Sequence, residues 1–199
     1  MNGDRSTGGG SLQWVGFHAD FLLCPVAIGA LLVLAWMYSP LWEMGDVSLA
    51  FLLGAIGWTL TEYFLHRFVL HAVAPFRRLH ALHHARPTAL VGTPAWLSPV
   101  LAISVFVSIF HVGDVSSACG MTAGVMVGYL VYVFIHYATH HLPRLRWPWL
   151  CRLRRAHALH HRSEERPCNF GVSTGFWDAV FRTAVSEGSS QSPKGPARA

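Results

Sequence analysis

The chain has 199 residues, 52% hydrophobic and only 13% charged, with a mean hydropathy of +0.36. That apolar excess excludes an ordinary soluble domain and a disordered chain, and the length leaves room for one domain. Lys and Arg number 15 against 10 Asp and Glu, a net charge of +5, and 13 histidines stand against one lysine, Lys194.

Residues 1–20 read as a flexible cytosolic N-terminal segment without a signal-peptide cleavage pattern. A helix needs about 20 apolar residues to cross a bilayer. Four stretches qualify: about 21–42, 47–65 (interrupted by Glu62), 95–112 (after Pro87 and Pro94) and 115–135. A buried soluble helix can mimic one such run, but four predict an integral membrane protein. The expected fold is all-α, with four transmembrane helices and a cytosolic, His-rich helical cap, in one membrane domain over 21–183. Residues 184–199 are Ser/Gly/Pro-rich and read as a disordered tail. The four cysteines, Cys24, Cys119, Cys151 and Cys168, form no CxxC pair and read as reduced.

Charge sets the expected orientation. The loop after the first span carries Glu43 and Asp46, the loop after the third carries Asp114, and neither holds Lys or Arg. Arg5, the arginines from Arg67 to Arg86, and every cationic residue from Arg144 onward then fall on one side. That side is predicted to be the cytoplasm, with both termini inside.

Eleven histidines gather in four clusters: His66 and His71 in HRFVLH; His80, His83 and His84 in HALHH; His136, His140 and His141 in HYATHH; His157, His160 and His161 in a second HALHH. His18 and His111 stand apart and read as satisfied interfacial residues. At about 100° per residue, positions i, i+3 and i+4 share a helical face, so each HALHH presents three imidazoles on one stripe. His66 and His71, at i and i+5, lie about 140° apart on an ideal helix. Either the helix ends or bends there, or the two residues reach different metals. Histidines beside a bilayer are costly without a function, and two identical triplets point to metal ligation. About ten ligands exceed one ion and suit two with open positions. Neutral imidazole suits Zn, Cu, Fe and Ni, so spacing leaves iron and zinc open, and either His140 or His141 can serve as the second ligand of its cluster.

EYFLHRFVLH, the two HALHH triplets, HYATH and NFGVSTGFWDAVFRT (169–183) together resemble the fatty acid hydroxylase superfamily, which includes sterol desaturases and carotenoid hydroxylases. EYFLHRFVLH and FGVSTGFWD look closest to the fatty acid 2-hydroxylases. The resemblance implies a four-helix membrane enzyme with a cytosolic cap and a dinuclear, histidine-bound centre taken to be di-iron, zinc being the alternative ion in purified protein. It implies insertion of one O₂-derived oxygen into an unactivated lipid C–H bond. Carried over by position, the ligands are His66, His71, His80, His83, His84, His136, His140, His157, His160 and His161, with His141 as the alternative to His140. Two features depart from the 2-hydroxylase pattern. No fused cytochrome b5 segment fits in residues 1–20, and HYATHH also satisfies the longer HxxxxH spacing of carotenoid hydroxylases.

Glu62, one turn before His66, reads as a hydrogen-bond partner of a ligand imidazole or of a nearby Arg or backbone group. Asn169 and Asp178 read as supports of the ligands or as turn residues, and Ser173 and Thr174 as structural. RLRWPWLCRLRR (144–155) interleaves Arg with Trp and Leu, as at a membrane interface. It also suits an acidic electron donor or an anionic headgroup, whereas nucleic acid is excluded because the patch adjoins spans and a metal cluster. No Gly-rich dinucleotide fingerprint is present, so electrons are expected from a separate reductase and a cytochrome b5-like or ferredoxin-like carrier. The leading expectation is an O₂-dependent hydroxylase of a lipid acyl chain. A carotenoid ring hydroxylase and a sterol desaturase are the enzyme alternatives. A metal-binding or metal-transport protein is the non-enzyme alternative, and ligands at the span ends rather than the midplane argue against transport.

Overall fold

The computed structural model describes residues 7–89, 96–163 and 166–186, with side chains described from residue 18 onward. Residues 1–6 of the N-terminal segment, residue 95 of the third expected span, and 187–199 of the expected tail lie outside these residues. The described residues are helical or irregular, with no strand.

The helices are α1 (Thr7–Tyr38), α2 (Met44–Phe64), α3 (Phe76–Ala85), α4 (Leu97–Val112), α5 (Val115–His141), α6 (Pro148–Arg162) and a single turn, α7 (Phe176–Val180). A 3-10 turn, Leu41–Glu43, leads into α2, and a π-helical segment, Leu65–Leu70, extends it. Three stretches are long and apolar enough to cross a membrane: His18–Tyr38, Leu41–Leu70 and Val115–His141. They overlap three of the four expected spans, with different bounds. The remaining one, α4, has 16 residues, about 24 Å of helix against a hydrocarbon core of about 30 Å. Pro25 sits inside α1, where it removes one backbone hydrogen bond without ending the helix. Pro148 opens α6 at its first turn, where its missing N–H has no partner to lose, and Trp147 before it is extended.

The chain divides into two compact units, residues 1–134 and 135–199, with the boundary inside α5. In the first unit a glycine ridge sets the approach of α5 to α2. Gly120, Gly124 and Gly128 recur every fourth residue and so share one helical face. A Cβ on Gly124 would lie 2.0 Å from the Phe51 carbonyl oxygen, and one on Gly120 would lie 2.5 Å from that of Val47. Only backbone against backbone fits there, as in close helix pairs within membranes. Cys24, Trp58, Met126 and Tyr129 form one buried cluster of this unit, and Ala35, Val47 and Cys119 another. The transition from α2 into the π segment is tied by Arg67, which donates to the hydroxyl of fully buried Tyr63 at 2.7 Å.

In the second unit, Arg154 on α6 reaches back to cap α5. Its Nη2 donates to the carbonyls of Ala138 and Leu142 at 3.2 and 3.0 Å. Ala138 lies in the last turn of α5 and Leu142 directly follows that helix, so the guanidinium supplements the sparse bonding of helix-end carbonyls. The contact fixes how α6 packs on the end of α5.

Candidate metal centre

In the first unit, the π segment decides the geometry of the first cluster. A π turn bonds i to i+5, so His71 returns beneath His66 instead of lying on another face. Their rings stack with centroids 5.3 Å apart. α3 brings His80 and His84 against them, one turn apart on its own face. The Nε2 of His80 lies 3.0 Å from that of His66, 3.1 Å from that of His71 and 3.0 Å from that of His84. One hydrogen on His80 can serve only one of these three neighbours, so lone pairs are left converging on a single point. A cation turns that repulsion into binding, and four imidazole nitrogens form a donor set for a first-row divalent ion. The ligand atoms of all four lie within 4.8 Å of one another. Burial first, and the nearby His84 second, push the His71 pKa down to about 4, which keeps its ring neutral and able to ligate at neutral pH.

The second unit builds a second quartet from the end of α5 and from α6. His136 and His140 share a face of α5, and His157 and His161 share a face of α6. The Nε2 of His157 lies 2.9 Å from that of His140 and 3.0 Å from that of His161. The His136 ring is 5.0 Å from that of His157. Burial, followed by the charges of His136, His161, His140 and His160, holds the His157 pKa well below its ordinary value. His141 stands outside this quartet, with its ring stacked on Tyr137 at 4.7 Å. His140 is therefore the member of HYATHH that the structure brings to the cluster. The two clusters can each hold a metal ion.

The middle histidine of each HALHH is buried beside its quartet. His83 is 5% exposed, with its ring 5.9 Å from that of His80. His160 is 1% exposed, and its Nδ1 donates to the Cys168 carbonyl at 2.7 Å. That bond assigns the proton to Nδ1 and directs the lone pair to Nε2.

The loop carrying Cys168 is organised by two residues singled out in the sequence. Buried Asp178 accepts from the Phe170 N–H at 2.7 Å, the Gly171 N–H at 2.8 Å and the Thr183 hydroxyl at 2.7 Å. Asn169, at φ 52°, accepts from the Val185 N–H at 2.9 Å and donates to the Val185 and Ala156 carbonyls. Gly171 is obligatory, because a Cβ there would lie 2.0 Å from the Thr174 carbonyl oxygen. The Thr174 hydroxyl accepts from the Phe176 N–H at 3.2 Å, just before α7. Asn169 and Asp178 thus hold together the loop whose Cys168 carbonyl meets His160.

Glu62 is buried one turn before His66, and both line a cavity of about 330 Å³ in the first unit. Trp58, Leu101, Tyr129 and Tyr132 also line it, and its wall is almost wholly apolar. An apolar cavity lined by a histidine of the candidate metal cluster suits a hydrocarbon chain. Trp58 and Tyr129 were not singled out in the sequence. His18 packs near Phe21 with ring centroids 6.3 Å apart, and neither it nor His111 joins a quartet.

Comparison with known proteins gives the same direction. Residues 51–183 match the fatty acid hydroxylase family. The chain is 32% identical over 150 residues to the fatty acid 2-hydroxylase of Rattus norvegicus, covering 69% of this chain and 40% of that protein. It is 34% identical over 148 residues to the ceramide very long chain fatty acid hydroxylase SCS7 of Saccharomyces cerevisiae, covering 67% and 37%. The chain thus spans half or less of the length of these relatives. A solved structure, full-length scs7p with only the hydroxylase domain visible, superposes with a TM-score of 0.68 at 26% identity, covering 87% of this chain and 67% of that one. With all four histidine motifs inside or at the edge of the matched helices, the chain belongs to the fatty acid hydroxylase family.

Proposed function

We propose that the protein is a membrane-bound, O₂-dependent hydroxylase of a lipid acyl chain with two non-haem irons. The observation that carries the reading is an apolar cavity lined by His66, a member of the first unit's histidine quartet. His66, His71, His80 and His84 hold one ion, and His136, His140, His157 and His161 the other, with His83 and His160 completing the ten ligands. Bound iron supplies the activation of O₂ needed to attack an unactivated C–H bond. The balance is one C–H, one O₂, two electrons and two protons in, and one hydroxyl and one water out.

The chain's own residues do the rest. The neutral rings of His71 and His157 offer lone pairs at physiological pH, the Cys168 carbonyl orients His160, and the cavity excludes water and positions the chain. Four spans with both termini in the cytoplasm place the histidines where a soluble electron donor reaches them. The absence of Lys and Arg from the two outer loops supports that topology. The names of the relatives, a fatty acid 2-hydroxylase and a ceramide very long chain fatty acid hydroxylase, favour an acyl chain over a carotenoid ring.

The test is expression in a host lacking hydroxylated lipids, with a reductase and a small electron carrier, under isotopically heavy O₂. Mass spectrometry should find heavy oxygen in a new hydroxyl group on an acyl chain. Label from water alone, or turnover without O₂, refutes the proposal, and hydroxylated carotenoid with unmodified acyl chains replaces it with the ring-hydroxylase reading.

A further inference from the structure

Trp58 and Tyr129 line the same cavity as His66. Trp58 precedes His66 by eight residues on the same helix, about 12 Å deeper toward the start of α2. Its indole meets the Tyr129 ring edge-on at 5.3 Å, so the two rings close the space between α2 and α5. Trp58 cannot retreat, because a Cβ on Gly128 would already lie 2.5 Å from its Cβ and 3.0 Å from its Cδ1. The indole is seated on the bare backbone of α5.

Tyr129 is fixed in turn. Its hydroxyl donates to Asp20 of α1 at 2.5 Å, and the other carboxylate oxygen of Asp20 accepts from Ser98 of α4 at 2.6 Å. Asp20 is only 5% exposed and lies in the first candidate span. A buried carboxylate in such a segment is costly and persists only with partners and a use. Here its partners are two residues that both line the cavity. One acid on α1 thereby sets the position of cavity walls contributed by α4 and α5.

We infer that Trp58 and Tyr129 form a stop that sets the length of acyl chain accepted, with Asp20 as the residue that positions Tyr129. The inference rests on the acyl-hydroxylase reading for the identity of the occupant. A chain reaching from the metal into the cavity is measured against the Trp58 indole. One methylene too many has no space, and one too few leaves apolar wall uncovered. Discrimination of this kind amounts to about 10–200-fold per methylene.

The test uses the full chain in membranes supplied with acyl chains of graded length. Two readouts are taken: the chain lengths of hydroxylated products, and the chain lengths of lipid that co-purifies with the protein. Trp58→Leu should raise the use of chains two carbons longer by about tenfold or more relative to the chain preferred by the parent. Leu101→Trp, which fills the same cavity from α4, should shift the preference to shorter chains and decides the matter if Trp58→Leu fails to fold. Asp20→Asn keeps one acceptor and should retain the parent preference better than Asp20→Ala, which should broaden it. A structural role alone would lower turnover equally for all lengths. Unchanged length profiles in folded Trp58→Leu and Leu101→Trp overturn the inference. If the parent makes no hydroxylated acyl product, the functional reading fails, and the co-purified lipid profile still judges the stop.

Discussion

Asp178→Ala tests how far the metal site depends on a residue that touches no ligand ring. The Asp178 carboxylate is 2% exposed and accepts three hydrogen bonds, two from the backbone N–H groups of Phe170 and Gly171 and one from Thr183. Leaving a buried donor without an acceptor costs about 1–3 kcal/mol, and the Thr183 hydroxyl can rotate to another partner, so truncation to Ala should cost about 3–5 kcal/mol. Asp178→Asn is the sharper variant. If its amide oxygen keeps the two bonds made by Oδ1, its NH₂ faces the Gly171 N–H at the present 2.8 Å, donor against donor. That variant should lose about 1–3 kcal/mol. For a chain of this size each kcal/mol moves the thermal midpoint by about 2–4 °C. Asp178→Ala should therefore fall by about 10 °C and Asp178→Asn by several degrees, read by thermal unfolding of the metal-loaded protein in detergent. The same loop presents the Cys168 carbonyl to His160, so metal affinity should fall by about 10–100-fold in Asp178→Ala, read by chelator competition. An Asp178→Ala protein with the parent midpoint and metal affinity refutes the reasoning.

Elemental analysis of folded protein should give two ions per chain, with His80→Ala and His157→Ala each losing metal because each is the hub of its quartet, and His18→Ala retaining both. Gly124→Val should abolish monodisperse protein, because its first added carbon already lies 2.0 Å from a backbone oxygen that only separation of α2 and α5 can relieve, and normal size-exclusion behaviour would contradict the ridge. In the metal-free protein, His71 has a folded pKa of about 4 against an ordinary value of 6.5, so the unfolded chain binds the extra proton first as pH falls. The contribution of His71 to stability is then complete above about pH 6.5 and lost progressively towards pH 4, and a thermal midpoint that rises on acidification through that window would contradict it.

The residue types of the candidate metal site were legible before any fold was known, because i, i+3, i+4 spacing is a local property of a helix. The two HALHH triplets appear on α3 and α6 as their spacing requires. Hydropathy likewise located the apolar stretches, although α4 proves shorter than the other three. HRFVLH was ambiguous for the opposite reason. Whether i and i+5 meet depends on a change of helix type, and the π segment that unites His66 and His71 is held by packing around Tyr63 and Arg67. The choice between His140 and His141 also needed the tertiary structure, since the position of α6 selects which ring meets His157.

Asp178 shows the same division within one residue. Its position after FGVSTGFW marked it, but whether it served a ligand ring or a turn depended on where residues 170, 171 and 183 came to rest. The glycine ridge and the Asp20–Tyr129–Ser98 tie were invisible for a further reason. A glycine is informative only when another backbone presses on it, and an acid only when its partners, 78 and 109 residues away, are folded against it. Local periodicity determined the helices and the chemistry they carry. Long-range packing alone decided which nitrogens converge, which side chains line the cavity and what ties those side chains together.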